Sequence, residues 1–233
     1  MKSLSTVGAV AAVLTTVCFV GGIALMVASG VQVLIPDTGQ AALDWIKDVD
    51  EADWMFFAGA WLVVGGGVAG LVAIGGFWCV FHETSDLILL GLILGTMGMV
   101  LITISHLIPI AMAYELVPEY VFATGSTRDS LTVTTDTLAS IALVLNYVGD
   151  VIVWGIVVPL FAWAALTTRR VPRWIGWLGI LTAVFAGWIG AAAPASKQLE
   201  DATYLGFVAF FIWMAAMGIA LLLRRDLPPR SAV

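Results

Sequence analysis

The chain alternates between long apolar stretches and shorter polar ones, and this pattern predicts six membrane-spanning helices. An α-helix crosses a hydrocarbon core of about 30 Å with about 20 apolar residues. Backbone that faces lipid must satisfy its hydrogen bonds within its own segment, which favours helices over irregular structure. We therefore predict an all-α integral membrane bundle, with residues 1–233 forming one transmembrane domain. The six predicted spans are residues 7–35, 54–81, 87–114, 138–166, 174–193 and 204–223.

Lysine and arginine residues near the span ends predict the orientation of the bundle. Cytoplasmic loops carry an excess of these two residue types. With the N-terminus inside, seven of them lie in the cytoplasm and three lie outside. We therefore predict that both termini are cytoplasmic and that the chain resides in the plasma membrane. The cytoplasmic set is Lys2, Arg169, Arg170, Arg173, Arg224, Arg225 and Arg230, and the outer set is Lys47, Arg128 and Lys197.

The two longest connecting segments both lie outside in this orientation. Residues 36–53 place apolar residues at helical spacing opposite an acidic face. That pattern is typical of a short amphipathic helix, which we expect on the outer membrane surface, held there by Trp45 and Trp54. Residues 115–137 are rich in Thr, Ser and Asp, and we expect this segment to be mobile or loosely ordered.

Composition and charge exclude several classes of function. Hydrophobic residues make up 61% of the chain and charged residues 11%, with a mean hydropathy of +1.04. Soluble domains have about 45–50% apolar and about 25% charged residues. The net charge of −6 offers no basic surface for nucleic acid. The lipid bilayer is the predicted partner, and a homo-oligomer or a partner in a membrane complex stays open. No metal-ligand spacing or haem motif is present, so the sequence identifies no cofactor.

Three polar residues within the predicted spans are the candidates for a functional site. Asn146 and Asp150 lie one helical turn apart, and Asp150 lies about 18 Å from the outer end of the fourth span. His106 lies at a similar depth in the third span, on a stripe of small residues that allows another helix to approach closely. We predict that the three side chains form one ligand-binding or proton-binding cluster. The stripe comprises Gly91, Gly95, Gly98, Ile102 and His106.

The cluster admits a functional and a structural interpretation. A carboxylate within a membrane is costly to bury and is a functional hypothesis by default. Alternatively, Asp150 is protonated or hydrogen-bonded to Asn146 and His106 and only stabilises the bundle. No catalytic pair of carboxylates, Ser/His pair or Asp-rich motif occurs in the spans, so no catalytic residue is assigned. Three hypotheses remain: a protein that handles a small molecule, ion or proton, a non-enzymatic subunit of a membrane complex, and an intramembrane enzyme.

A basic turn between the fourth and fifth predicted spans resembles a known family. Its arginines suit the cytoplasmic surface, and its tryptophans suit the membrane interface. The turn and the six-helix plan are similar to those of a family of small bacterial multi-pass proteins, frequent in actinobacteria, whose function is unknown. The resemblance implies a bacterial membrane protein and assigns no site residue. The turn reads Arg169-Arg170-Val171-Pro172-Arg173-Trp174-Ile175-Gly176-Trp177.

Single cysteines test the predicted orientation in a background that lacks Cys18 and Cys79. On intact cells we expect Ser126→Cys and Lys197→Cys to react with an impermeant thiol reagent. Thr168→Cys should react only after the cells are lysed, because the basic turn lies in the cytoplasm. Labelling in the opposite pattern contradicts the orientation.

Overall fold

A computed structural model describes residues 2–31, 34–192 and 197–223. Within these ranges the chain contains helices and no strand, and six helices are long and apolar enough to cross a membrane. The predicted all-α bundle is confirmed. In chain order the helices are α1 (Lys2–Ala28), α2 (Gln40–Asp50), α3 (Trp54–Phe81), α4 (Leu87–Ala111), α5 (Val117–Phe122), α6 (Gly125–Ile152), α7 (Val158–Thr168), α8 (Arg173–Thr182), α9 (Gly190–Ala192) and α10 (Lys197–Leu223). Single-turn π-helical segments join α4 to α5 (Met112–Leu116), α6 to α7 (Val153–Val157) and α8 to α9 (Ala183–Ile189).

α4 and α6 cross at a point where glycine residues allow their backbones to approach closely. A Cβ atom added to Gly149 would lie 2.8 Å from the carbonyl oxygen of Gly98 and 2.7 Å from the Ile102 side chain. A Cβ atom added to Gly98 would lie 2.7 Å from the Val153 side chain. Small residues at a crossing let two membrane helices pack backbone against backbone. The predicted stripe of small residues on the third span therefore does face a neighbouring helix.

A proline in the fourth span leaves a backbone carbonyl without its usual helical donor, and a tryptophan of the fifth span supplies one. Pro159 lies in the first turn of α7 and has no N–H group to donate to the carbonyl of Gly155, four residues earlier. Trp188 Nε1 donates to that carbonyl oxygen instead, at 3.1 Å. Gly187 and Gly155 also lie backbone to backbone. A backbone group that lipid cannot satisfy is thus satisfied by the neighbouring helix.

Several helix ends differ from the predicted span limits, and the third helical path continues to Phe122 instead of residue 114. α1 ends at Ala28 instead of residue 35, and Gly30 follows it with a φ of 92°, a conformation that glycine adopts without strain. The helical path of the fourth span begins at Gly125 instead of residue 138. The last helix begins at Lys197 instead of residue 204.

The prediction of a mobile loop at residues 115–137 is wrong, because most of this segment is helical. The composition of this segment suggests disorder. In α6, however, the hydroxyl group of each of four threonines donates to the backbone carbonyl oxygen four residues earlier. This back-bonding satisfies the hydroxyl within the helix. Thr135 is also fully buried. The four residues are Thr132, Thr134, Thr135 and Thr137.

The predicted surface helix is present as α2, but protein covers its apolar face. Trp45 is only 3% exposed, and its ring centroid lies 6.3 Å from that of Phe56. Just before α2, the Gly39 N–H donates to Asp136 Oδ1 of α6 at 2.6 Å. The prediction that Trp45 anchors this helix in the membrane is therefore wrong. Trp54, the other predicted anchor, is exposed.

The basic turn connects α7 and α8 at the predicted cytoplasmic end of the bundle. α7 ends at Thr168, and Arg169 follows it in a left-handed backbone conformation with a φ of 52°. Arg170 Nη2 lies 2.8 Å from Glu83 Oε2, in an ion pair with the turn that follows α3, and Arg170 Nη1 donates to the Val80 carbonyl. The turn thus holds the inner ends of α3 and α7 together.

Substituting Gly149 tests the importance of the α4–α6 crossing. Gly149→Ala should lower the free energy of unfolding by about 1–3 kcal/mol, because the added methyl group meets backbone atoms that cannot move aside. Gly65→Ala is the matched control, since a Cβ atom there has no heavy atom within 4 Å. Unfolding titrations with a denaturing detergent compare the two variants. Equal stability of both would contradict the packing described.

Candidate functional site

A cavity of about 390 Å³ lies between α1, α4, α10 and the helix formed by α6 and the π-helical segment that follows it. Its wall is mainly apolar and aromatic, and a small polar group lies on the side formed by α4 and α6. The residues that line it are Phe19 and Ile23 of α1, Met99, Ile102 and His106 of α4, Asn146 and Asp150 of α6, Trp154 of the following π-helical turn, and Tyr204, Phe207, Phe210 and Phe211 of α10. All three predicted site residues therefore line one cavity.

Hydrogen bonds connect the polar residues across two helices. Asn146 Nδ2 donates to Asp150 Oδ2 at 2.7 Å. The Ser105 hydroxyl lies 3.2 Å from Asn146 Oδ1, 2.6 Å from the Ile102 carbonyl oxygen and 3.4 Å from His106 Nδ1. Because Ser105 is on α4 and fully buried, it links the histidine to the asparagine–aspartate pair of α6.

The hydrogen bond of His106 determines which of its ring nitrogens is available. Nδ1 lies 2.6 Å from the carbonyl oxygen of Ile102. A carbonyl oxygen only accepts, so Nδ1 carries the hydrogen atom. In the neutral imidazole, Nε2 is then an acceptor with a free lone pair.

Two polar atoms of the cluster have no partner among the described residues. Within the described ranges, neither His106 Nε2 nor Asp150 Oδ1 makes a hydrogen bond. No lysine or arginine lines the cavity, and no described cationic side chain lies within 4.0 Å of the Asp150 carboxyl group. The cluster is therefore hydrogen-bonded internally on one side and has two unpartnered polar atoms on the other.

Aromatic rings from three segments form the opposite wall. The ring centroids of Trp154 and Phe207 are 4.6 Å apart in an edge-to-face arrangement. Phe19 lies 5.7 Å from Phe211, and its ring meets that of His106 at 6.1 Å. Such contacts stabilise the wall beyond the burial of apolar area. Trp154 Nε1 is buried and has no hydrogen-bond partner among the described residues.

The cavity opens to the molecular surface near the C-terminal end of α1 and the N-terminal end of α10. Phe210 is 5% exposed, whereas Ile23 is 43% and Tyr204 is 59% exposed. Further inward, Thr16 Oγ1 donates to the Phe211 carbonyl oxygen at 3.1 Å and holds α1 against α10. The opening therefore lies between these two helices on the predicted outer side.

Sequence reasoning missed Ser105 and the aromatic wall. A buried serine next to a histidine gives no pattern of its own, and its role depends on the distance to another helix. The aromatic residues of α10 did give a signal. Tyr204, Phe207 and Phe211 follow each other at spacings of three and four residues, which places them on one helix face.

Comparisons with known proteins return no match. No family model matches the chain, and no curated protein and no solved structure matches it either. In the part of the chain that the structure describes, no group of three or more His, Cys, Asp or Glu side chains could hold a metal ion. Cys18 and Cys79 are both free thiols.

Two substitutions of Asp150 test the hydrogen-bonded chain. Asp150→Leu should lower the free energy of unfolding by about 1–3 kcal/mol, since it leaves the Asn146 amide without its acceptor. Asp150→Asn keeps a carbonyl oxygen in the same place and should leave stability nearly unchanged. Thermal unfolding in lipid nanodiscs gives both values. If the leucine variant is as stable as the native chain, the hydrogen bond contributes nothing.

Proposed function

We propose that this multi-pass membrane protein binds a small, largely apolar molecule in the cavity and holds the molecule's polar group against His106, Asn146 and Asp150. Binding is coupled to proton exchange at Asp150. We place the chain in a bacterial plasma membrane, on the basis of the charge distribution and the family resemblance. The function belongs to the small-molecule-handling class, with no catalytic residue assigned.

The two unpartnered polar atoms of the cluster are the observation that supports this proposal most strongly. A cluster that serves only to hold helices together is expected to pair all its polar atoms within the protein. Here Ser105 and Asn146 satisfy the inner side, and His106 Nε2 and Asp150 Oδ1 remain available at the cavity wall. Cavities of about 300–1,000 Å³ with an apolar wall and a few polar groups are typical of small-molecule sites.

The protonation of Asp150 gives the site its chemistry. An ionised carboxylate with no counter-charge in an apolar site is strongly disfavoured, so the carboxyl group is a neutral acid in the empty cavity. Asn146 then donates to the carbonyl oxygen of the acid. A ligand that brings a compensating charge or a strong donor changes this balance and releases the proton toward the outer opening.

Blocking the opening tests the proposal. Ile23→Trp places a large ring at the mouth, and Val27→Trp is the matched control one helical turn away, exposed and outside the cavity lining. Small aromatic alcohols, amines and acids are screened by the shift in thermal unfolding of the protein in nanodiscs. We expect at least one class to stabilise the native chain and the Val27→Trp variant but not Ile23→Trp.

Two results would contradict the proposal. One is that no compound class stabilises the native chain. The other is that Ile23→Trp responds as the native chain does, which would place binding elsewhere. Purification of the chain in a stable larger complex, together with either result, would favour the alternative of a non-enzymatic membrane subunit.

A further inference from the structure

We propose that the ligand of this cavity is a lipophilic organic cation, a protonated amine on a compact apolar body. This inference rests on the proposed function and specifies the class of molecule that the site accepts. Three features of the described structure support it: a carboxyl group with no cationic side chain beside it, the aromatic wall, and the acidic residues on the side where the cavity opens.

The polar side of the cavity matches an ammonium group. Asp150 Oδ1 and His106 Nε2 both lack a hydrogen-bond donor. Both residues line the cavity, and an ammonium group is a charged donor that forms a stronger hydrogen bond with a carboxylate than a neutral donor does. No arginine or lysine lines the cavity to neutralise the carboxylate, so the counter-charge has to come from the ligand. A carboxylate or phosphate ligand would find no lysine or arginine in the described lining to pair with.

The aromatic wall favours the same class. Cations are attracted to the faces of aromatic rings within about 6 Å, and tryptophan gives the strongest interaction. Six aromatic side chains besides His106 line this cavity of about 390 Å³. They also provide apolar surface for the body of the ligand. The six are Phe19, Trp154, Tyr204, Phe207, Phe210 and Phe211.

Acidic residues on the outer side add long-range attraction. α2 and the turn that follows it carry five carboxylates against one lysine. A surface of one charge sign raises the local concentration of ions of the opposite sign and repels like charges. The cavity opens on this same side, at Ile23 and Tyr204. The carboxylates are those of Asp44, Asp48, Asp50, Glu51 and Asp53.

Binding exchanges one proton for one cation. The O–H bond of the Asp150 acid breaks, the proton passes to water at the outer opening, and the carboxylate pairs with the ammonium group. The titratable groups that face Asp150 across the cavity are His106 of α4 and Tyr204 of α10, and α1 contributes only Phe19 and Ile23. Protons compete with the ligand for Asp150, and a protonated His106 would repel the ligand. Affinity for the cation should therefore fall as the pH falls, by up to about tenfold for each pH unit when one proton is displaced.

Two probes of similar shape distinguish the contribution of the ligand's charge to affinity from the contribution of its apolar contacts. Phenethylamine is a cation at neutral pH, and phenethyl alcohol is its neutral counterpart. Their dissociation constants are measured by ligand-observed NMR on the full chain in nanodiscs, against empty nanodiscs. We expect the amine to bind at least about tenfold more tightly than the alcohol. Asp150→Asn should remove this difference by lowering the affinity for the amine about tenfold or more relative to that for the alcohol. Asp129→Asn, the same change at an exposed position of α6, should preserve the difference.

The outcomes distinguish the two proposals. If both probes bind equally to the native chain and Ile23→Trp abolishes both, the inference of a cation is wrong and the proposed binding cavity stands. If neither probe binds, or Ile23→Trp changes nothing, both proposals fail. Should Asp150→Asn not fold, a pH series on the native chain decides. An affinity for the amine that does not fall at low pH relative to the alcohol overturns the inference.

Discussion

The close approach of α4 and α6 at Gly98 and Gly149 determines where the polar residues of this bundle meet. With Gly149 against the α4 backbone, Asp150 and Asn146 lie beside the part of α4 that carries Ser105 and His106. Any side chain at Gly149 would separate the two helices and lengthen the 3.2 Å contact between the Ser105 hydroxyl and the Asn146 side chain. The position of the candidate site thus follows from helix packing, and no loop contributes to it.

The membrane makes every unsatisfied polar group expensive, and the fold shows how such groups are handled in two different ways. The carbonyl oxygen of Gly155 cannot accept from Pro159, which has no N–H group, and it accepts from Trp188 Nε1 instead. That arrangement is complete and purely structural. In the cavity, Ser105, Asn146 and Asp150 also pair with one another, yet one oxygen of Asp150 and Nε2 of His106 remain without a partner in the described chain. This contrast within one protein is the reason to regard the cavity cluster as a binding site.

Sequence reasoning predicted those features that the bilayer itself dictates. The length of the apolar stretches indicated six spanning helices, and the rarity of polar residues within spans identified His106, Asn146 and Asp150. Features that depend on which distant segments touch were not predictable. Phe19 and Phe211 are in contact although they lie near opposite ends of the sequence, and nothing in the local pattern of α1 indicates that contact. The amphipathic pattern of α2 correctly indicated a helix but could not distinguish lipid from protein as its cover. Residues 115–137 have a composition typical of loops, and their helix depends on threonine back-bonding and on burial of Thr135.

Infrared difference spectroscopy of the carboxyl group tests the central claim most directly. The claim is that Asp150 is a neutral acid in the empty cavity and becomes a paired carboxylate when a cationic ligand occupies it. On addition of phenethylamine at constant pH, the native chain should lose the carbonyl stretch of a protonated carboxylic acid and gain carboxylate bands. Asp150→Asn should show neither change. A native chain without a protonated-acid band assignable to Asp150, or with a band that does not respond when the amine is bound, would contradict the account.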